Sequence, residues 1–116
     1  MRTFHIGVNK KTAEVTCTPP AMHVPPGDHE DILVCLDSRW IPHYKLAKIG
    51  GLEEESPITQ VKLNDSTICL HDANPYDPTN RDDQAIRFNV KLIRRPGSTA
   101  EKVKGSDPII VNDAPY

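Results

Sequence analysis

The sequence predicts an all-β domain, a compact sandwich or small barrel of six or seven strands. Three observations carry this expectation. Apolar residues recur with a period of two in segment after segment. Turn formers interrupt those segments every 8 to 15 residues. No stretch sustains the 3.6-residue periodicity of a convincing helix. At 116 residues the chain has the size of one domain, 1–116, in which residues 105–116 form a C-terminal tail.

In chain order, TFHIGV (3–8) alternates through Phe4, Ile6 and Val8, and AEVTC (13–17) through Ala13, Val15 and Cys17. The polar Asn9, Lys10 and Lys11 between them close a hairpin. The next stretch, TPPAMHVPPGDHED, holds four prolines and a glycine, which remove backbone donors and fix φ. It reads as a long extended crossing between two faces of the fold. ILVCLD (32–37) is apolar for five residues and stops on a carboxylate, as a central strand would. From Ser38 to Pro57 the pattern is irregular: KLAKIGGLEEE carries a glycine pair at Gly50-Gly51, which favours a loop with at most one helical turn.

Three further strands follow. ITQVKL (58–63) and TICLHD (67–72) are joined by the turn sequence Asn64-Asp65-Ser66. AIRFNVKLI (85–93) places Ile86, Phe88, Val90 and Leu92 on one face and Arg87, Asn89 and Lys91 on the other. Arg95-Pro96-Gly97-Ser98 then turns the chain towards PIIV (108–111), expected as an edge segment.

Charged residues make up 26% of the chain and the formal net charge is −2. Nucleic acid and anionic membranes demand a basic field that is missing here, so neither is an expected partner. No apolar run reaches the roughly 18 residues that cross a bilayer, and MRTFHIGVNKK has no apolar signal centre, which predicts a cytoplasmic protein. Cys17, Cys35 and Cys69 are odd in number and widely spaced, and read as free buried thiols. His5, His23, His29, His43 and His71 are scattered without ligand spacing, so no metal or other cofactor is expected. Trp40 is expected to fold over the edge of the core.

Two places in the sequence suggest chemistry. Asp37 ends the oily run Ile32 to Leu36, and partial desolvation there would raise a carboxyl pKa towards neutrality, as an acid/base catalyst needs; equally, Asp37 caps the turn after its strand. Ser38 follows it, as Ser or Thr follows the catalytic Asp of aspartic peptidases, although Arg39 stands where those enzymes have Gly. An aspartic mechanism needs a second carboxyl, for which Asp72, a second subunit or Asp107 is available. The other place is the Asp-Pro step. A prolyl nitrogen is a readily protonated leaving group and the preceding carboxyl can assist at its own carbonyl, so positioning alone favours scission. Two such steps occur, Asp77-Pro78 in a polar loop and Asp107-Pro108 before a β-prone triplet; the second is the better substrate, or else a proline that opens an edge strand.

The strand IRFNVKL, a polar turn and then SDPIIVNDAP resemble the C-terminal signature of the DP-EP family of small bacterial proteins, in which a D-P step precedes an acidic-Pro step. Here the first step is Asp107-Pro108 and the second appears as Asp113-Ala114-Pro115. The resemblance implies a self-cleaving aspartic peptidase built like one half of a pepsin-type enzyme. It would make Asp37 the catalytic carboxylate and Asp107-Pro108 the scissile bond, with Ser38 and Asp72 as candidate supports. It also implies a homo-oligomer that takes its own C-terminal tail as substrate or ligand. The alternative expectation is a non-catalytic β-sandwich that assembles through edge strands, with PIIV pairing onto a neighbour.

Overall fold

The computed structural model describes residues 2–27, 30–52, 56–74, 79 and 81–114. Alternation of buried and exposed side chains organises them into an all-β fold of ten strands. These are β1 (Arg2–Asn9), β2 (Glu14–Thr18), β3 (Ala21–Val24), β4 (Glu30–Leu36), β5 (Tyr44–Leu46), β6 (Ile58–Asn64), β7 (Thr67–Asp72), β8 (Gln84–Arg87), β9 (Leu92–Arg94) and β10 (Ile109–Asn112). They form a five-stranded sheet in the order β2-β1-β4-β7-β6, a three-stranded sheet β3-β10-β8 and the pair β5-β9. The described residues thus make several sheets rather than a closed barrel. No helix among them is long and apolar enough to cross a membrane.

The expected hairpin forms as β1 and β2, with Ile6 opposite Cys17 and Val8 opposite Val15. Its turn is held by Lys11 N donating to Asn9 Oδ1 at 3.0 Å. Ala13, expected inside the second strand, instead takes φ 54° in the turn. β4 is the middle strand of its sheet, parallel to β1 and antiparallel to β7. β6 and β7 are the predicted hairpin, and Asn64 Oδ1 accepts from both Ser66 N (2.8 Å) and Ser66 Oγ (2.9 Å) to shape its turn.

Four elements differ from the sequence expectation. The proline-rich crossing contains a true strand, β3, because Ala21–Val24 lies between two proline pairs and keeps every backbone donor. The irregular stretch after Ser38 contains β5, three residues that pair with β9. The single expected strand 85–93 is two, since the chain changes partners midway: Asn89 bridges Gly50 and Val90 bridges Ser106. Its inward face nevertheless stays buried through Phe88, Val90 and Leu92, which is why its alternation reads as unbroken. Finally, PIIV is no edge. β10 lies between β3, parallel, and β8, antiparallel.

One continuous core holds the layers together. Phe4 of β1 meets Phe88 edge to face with centroids 5.5 Å apart, and Ile6, Ile32, Val34, Ile68, Leu70 and Ile110 are completely buried around them. The three cysteines are free and half-buried. Cys17 packs against the core, and desolvation pushes its thiol up to about 12.

Candidate functional site

Asp37 lies just past β4, where its N–H donates to Ile6 O (2.8 Å) and its carbonyl accepts from Trp40 N (2.9 Å). Ser38 likewise offers its carbonyl to Ile41 N at 3.4 Å. Both side chains are exposed. The partial desolvation expected of Asp37 is therefore corrected: β4 buries Ile32, Val34 and Leu36, so the next residue falls outside the buried phase of the strand. What Asp37 starts is a turn, and that turn swings Trp40 back against the core, where the indole is buried.

Asp107 is exposed and accepts a hydrogen bond from Asn89 Nδ2 at 2.6 Å. Pro108 is buried, its carbonyl accepts from Phe88 N (3.1 Å), and the next N–H, of Ile109, donates to Pro20 O (3.1 Å). The peptide bond between Asp107 and Pro108 thus leads directly into β10. Gly105 permits the approach, because a Cβ there would stand 2.9 Å from Val90 O. Lys104 N donates to Ala13 O and Lys104 O accepts from Val15 N, on the outer edge of β2. The other Asp-Pro step, Asp77-Pro78, lies outside the described residues.

The desolvated carboxylate is Asp72. It ends β7 with 0% exposure. Its Oδ1 accepts from Asn112 Nδ2 at 3.1 Å, while its Oδ2 and Asn112 Oδ1 are buried without a hydrogen-bond partner. Burial pushes the Asp72 carboxyl above its ordinary range, against the opposing pull of Asn112, the Asn74 backbone and His71. Nearby, Asn74 Nδ2 donates to Val24 O (3.0 Å) and Pro25 O (3.1 Å), tying the end of β7 to β3. Asn112 is about 13 Å along β10 from Pro108 at the usual rise per residue. Asp72 therefore fastens β7 to β10 at the far end of that strand from the Asp-Pro step. Asn74 and Asn112 had no signal in the sequence beyond their place at strand ends.

A cavity of about 350 Å³ opens beside Trp40. Its lining includes apolar Val8, Trp40, Tyr44 and Val103 and the charged Lys10 and Glu101. Tyr44 donates its hydroxyl to the carbonyl of Glu101, which pins the 99–103 segment over the cavity. Two cations lie against the indole, Lys10 Nζ at 5.5 Å and the Arg39 guanidinium at 5.1 Å from the ring. Burial, then the carboxylate of Glu101, raise the Tyr44 phenol, while Arg94 opposes them.

Among the described residues no three His, Cys, Asp or Glu side chains converge as metal ligands. No family model matches the chain, and no curated protein matches it.

Proposed function

We propose that the protein is a non-catalytic β-sandwich that assembles with a second copy of itself through the edge of β6 that no other described strand covers. The supporting observation is the condition of that edge. β6 ends its sheet, yet Val61 is 62% and Leu63 58% exposed on it. Pro57 O accepts from Ala73 N (3.0 Å), so by alternation the backbone groups of Gln60 and Lys62 face away from β7. An exposed apolar edge whose outward backbone groups have no partner among the described residues is a template for strand addition.

The chemistry of the strand suits a twofold antiparallel pairing centred on Val61. Val61 then meets its symmetry mate, Leu63 meets Thr59 and Lys62 meets Gln60, with no like charges opposed. The irregularity between Lys62 and Asn64 blunts the end of the strand, which favours a closed pair over an open-ended fibre. PIIV, the segment first expected to pair in trans, already has strands on both sides in its own chain.

Sedimentation equilibrium of the full chain tests the proposal. The expected result is a dimer that Val61→Lys converts to a monomer, because two ammonium groups would face each other across the axis. A wild-type chain that is monomeric throughout, or a Val61→Lys dimer as tight as wild type, overturns it. Intact-mass spectrometry at mildly acidic pH addresses the rival, self-cleavage at Asp107-Pro108 assisted by Asp37. Loss of residues 108–116 that stops in Asp37→Ala would restore the peptidase reading.

A further inference from the structure

The cavity beside Trp40 is independent of the β6 edge. It gathers Val8 and Lys10 from the β1 end of the five-stranded sheet, whereas β6 is the terminal strand on the opposite side of β4. Its volume, about 350 Å³, falls within the range of about 300–1,000 Å³ usual for small-molecule sites. Three features bear on what would fill it.

The first is charge. Lys10 and Glu101 line the same cavity, but no ion pair joins them to each other or to any other described residue. Opposite charges that share a cavity without meeting leave a place for a ligand that carries both signs, each in reach of its complement. The second is the apolar part of the lining. Val8, Val103 and the rings of Trp40 and Tyr44, whose centroids are 6.3 Å apart, suit a hydrocarbon or aromatic body. The third is preorganisation. The Tyr44 hydroxyl holds the backbone that carries Glu101, and the Lys10 ammonium rests against the indole, so part of the site is held before a ligand arrives.

We propose that this cavity binds a small zwitterion, an α-aminocarboxylate with an apolar side chain. The carboxylate faces Lys10, the ammonium faces Glu101, and the side chain lies along Trp40 and Val103. His43, which is exposed, also contributes to the lining. A neutral apolar ligand would leave both charges unanswered, and a simple anion or cation would leave one.

Trp40 is the only tryptophan in the chain, so its fluorescence reports on this cavity alone. Full-length protein is titrated with L-phenylalanine under excitation selective for tryptophan, and in parallel with 3-phenylpropionate and phenethylamine, which each lack one charge. The expected result is a saturable change with L-phenylalanine and affinities about tenfold weaker for both analogues, the scale of one lost charge-assisted contact. Glu101→Gln is expected to bind L-phenylalanine no better than 3-phenylpropionate, and Lys10→Met no better than phenethylamine. Both positions are exposed, and circular dichroism with an unchanged melting curve verifies that each variant folds. A flat titration with both L-phenylalanine and L-leucine overturns the proposal. So does equal affinity for the zwitterion and its one-charge analogues, or a preference that survives both substitutions. A monomeric chain that still discriminates the zwitterion would sink the β6 proposal and leave this one standing.

Discussion

Ile110 decides whether the C-terminal strand is a structural member of the fold or a detachable tail. It lies in the middle of β10, opposite Met22 on one side and Ile86 on the other, with no exposed surface. Ile110→Ala deletes three carbons from that position. At about 0.8 kcal/mol per buried methylene the transfer loss alone is about 2.4 kcal/mol, and the cavity left behind brings the usual total for such changes to about 2–5 kcal/mol. An expected loss of about 3 kcal/mol is large for a domain of this size. Urea unfolding followed by circular dichroism measures it directly: with a slope of about 1.5 kcal/mol/M, the midpoint falls by about 2 M. A tail that merely rests on the surface would give a change within about 0.5 kcal/mol. That smaller value would refute the placement of β10 inside its sheet, and with it the burial of Pro108 at its start.

Asp72 makes stability pH-dependent with a definite sign. Because burial raises its carboxyl in the fold, the contribution is fully present below the ordinary carboxylate range and is lost as pH rises through the raised folded value. Asp72→Asn is neutral at every pH and keeps an acceptor for Asn112. Melting temperatures from acid to neutral pH are expected to fall less for this variant than for wild type, and the difference between the two curves isolates the contribution of Asp72. Thiol labelling of the native chain, mapped by mass, is expected to modify Cys17 last, since burial holds its thiol at about 12 and the thiolate is the reactive form; labelling of Cys17 ahead of Cys35 would contradict its position against the core. Asp37→Ala is expected to shift stability by no more than about 0.5 kcal/mol, because the turn uses its backbone while its carboxylate is exposed. A loss above about 1.5 kcal/mol in urea unfolding would mean that the carboxylate itself is bound in the fold.

Much of the fold was legible wherever a strand carried strict alternation and an Asx turn. TICLHD predicts Thr67–Asp72 to the residue, and the hairpins at 3–18 and 58–72 have the partners expected of them. The remainder depended on partners that a linear pattern does not contain. Ala21–Val24 is a strand only because β10 returns from nearly ninety positions later to lie parallel to it, and parallel pairing carries no local turn signal. The break at Asn89 and Val90 is invisible in the pattern, since a strand that exchanges one neighbour for another keeps the same face inward. The cavity at Trp40 was legible only as an aromatic at the edge of the core, because Lys10 and Glu101 are brought to it from ninety residues apart.

The two candidate carboxylates show how phase outweighs context. Asp37 follows five apolar residues and Asp72 follows a histidine, so local hydrophobicity favours Asp37 as the desolvated acid. Phase reverses the ranking. In β4 the even positions Ile32, Val34 and Leu36 point to the core, and in β7 the even positions Ile68 and Leu70 do the same. Extending each alternation by one step leaves Asp37 out of register with the core and carries Asp72 into it. A carboxyl so placed must be protonated or partnered, and the partner it finds, Asn112, comes from the C-terminal strand. The acid that the sequence nominated as a catalyst is thus free to sit in water at the head of a turn. The one it held in reserve is a buried fastening between β7 and β10.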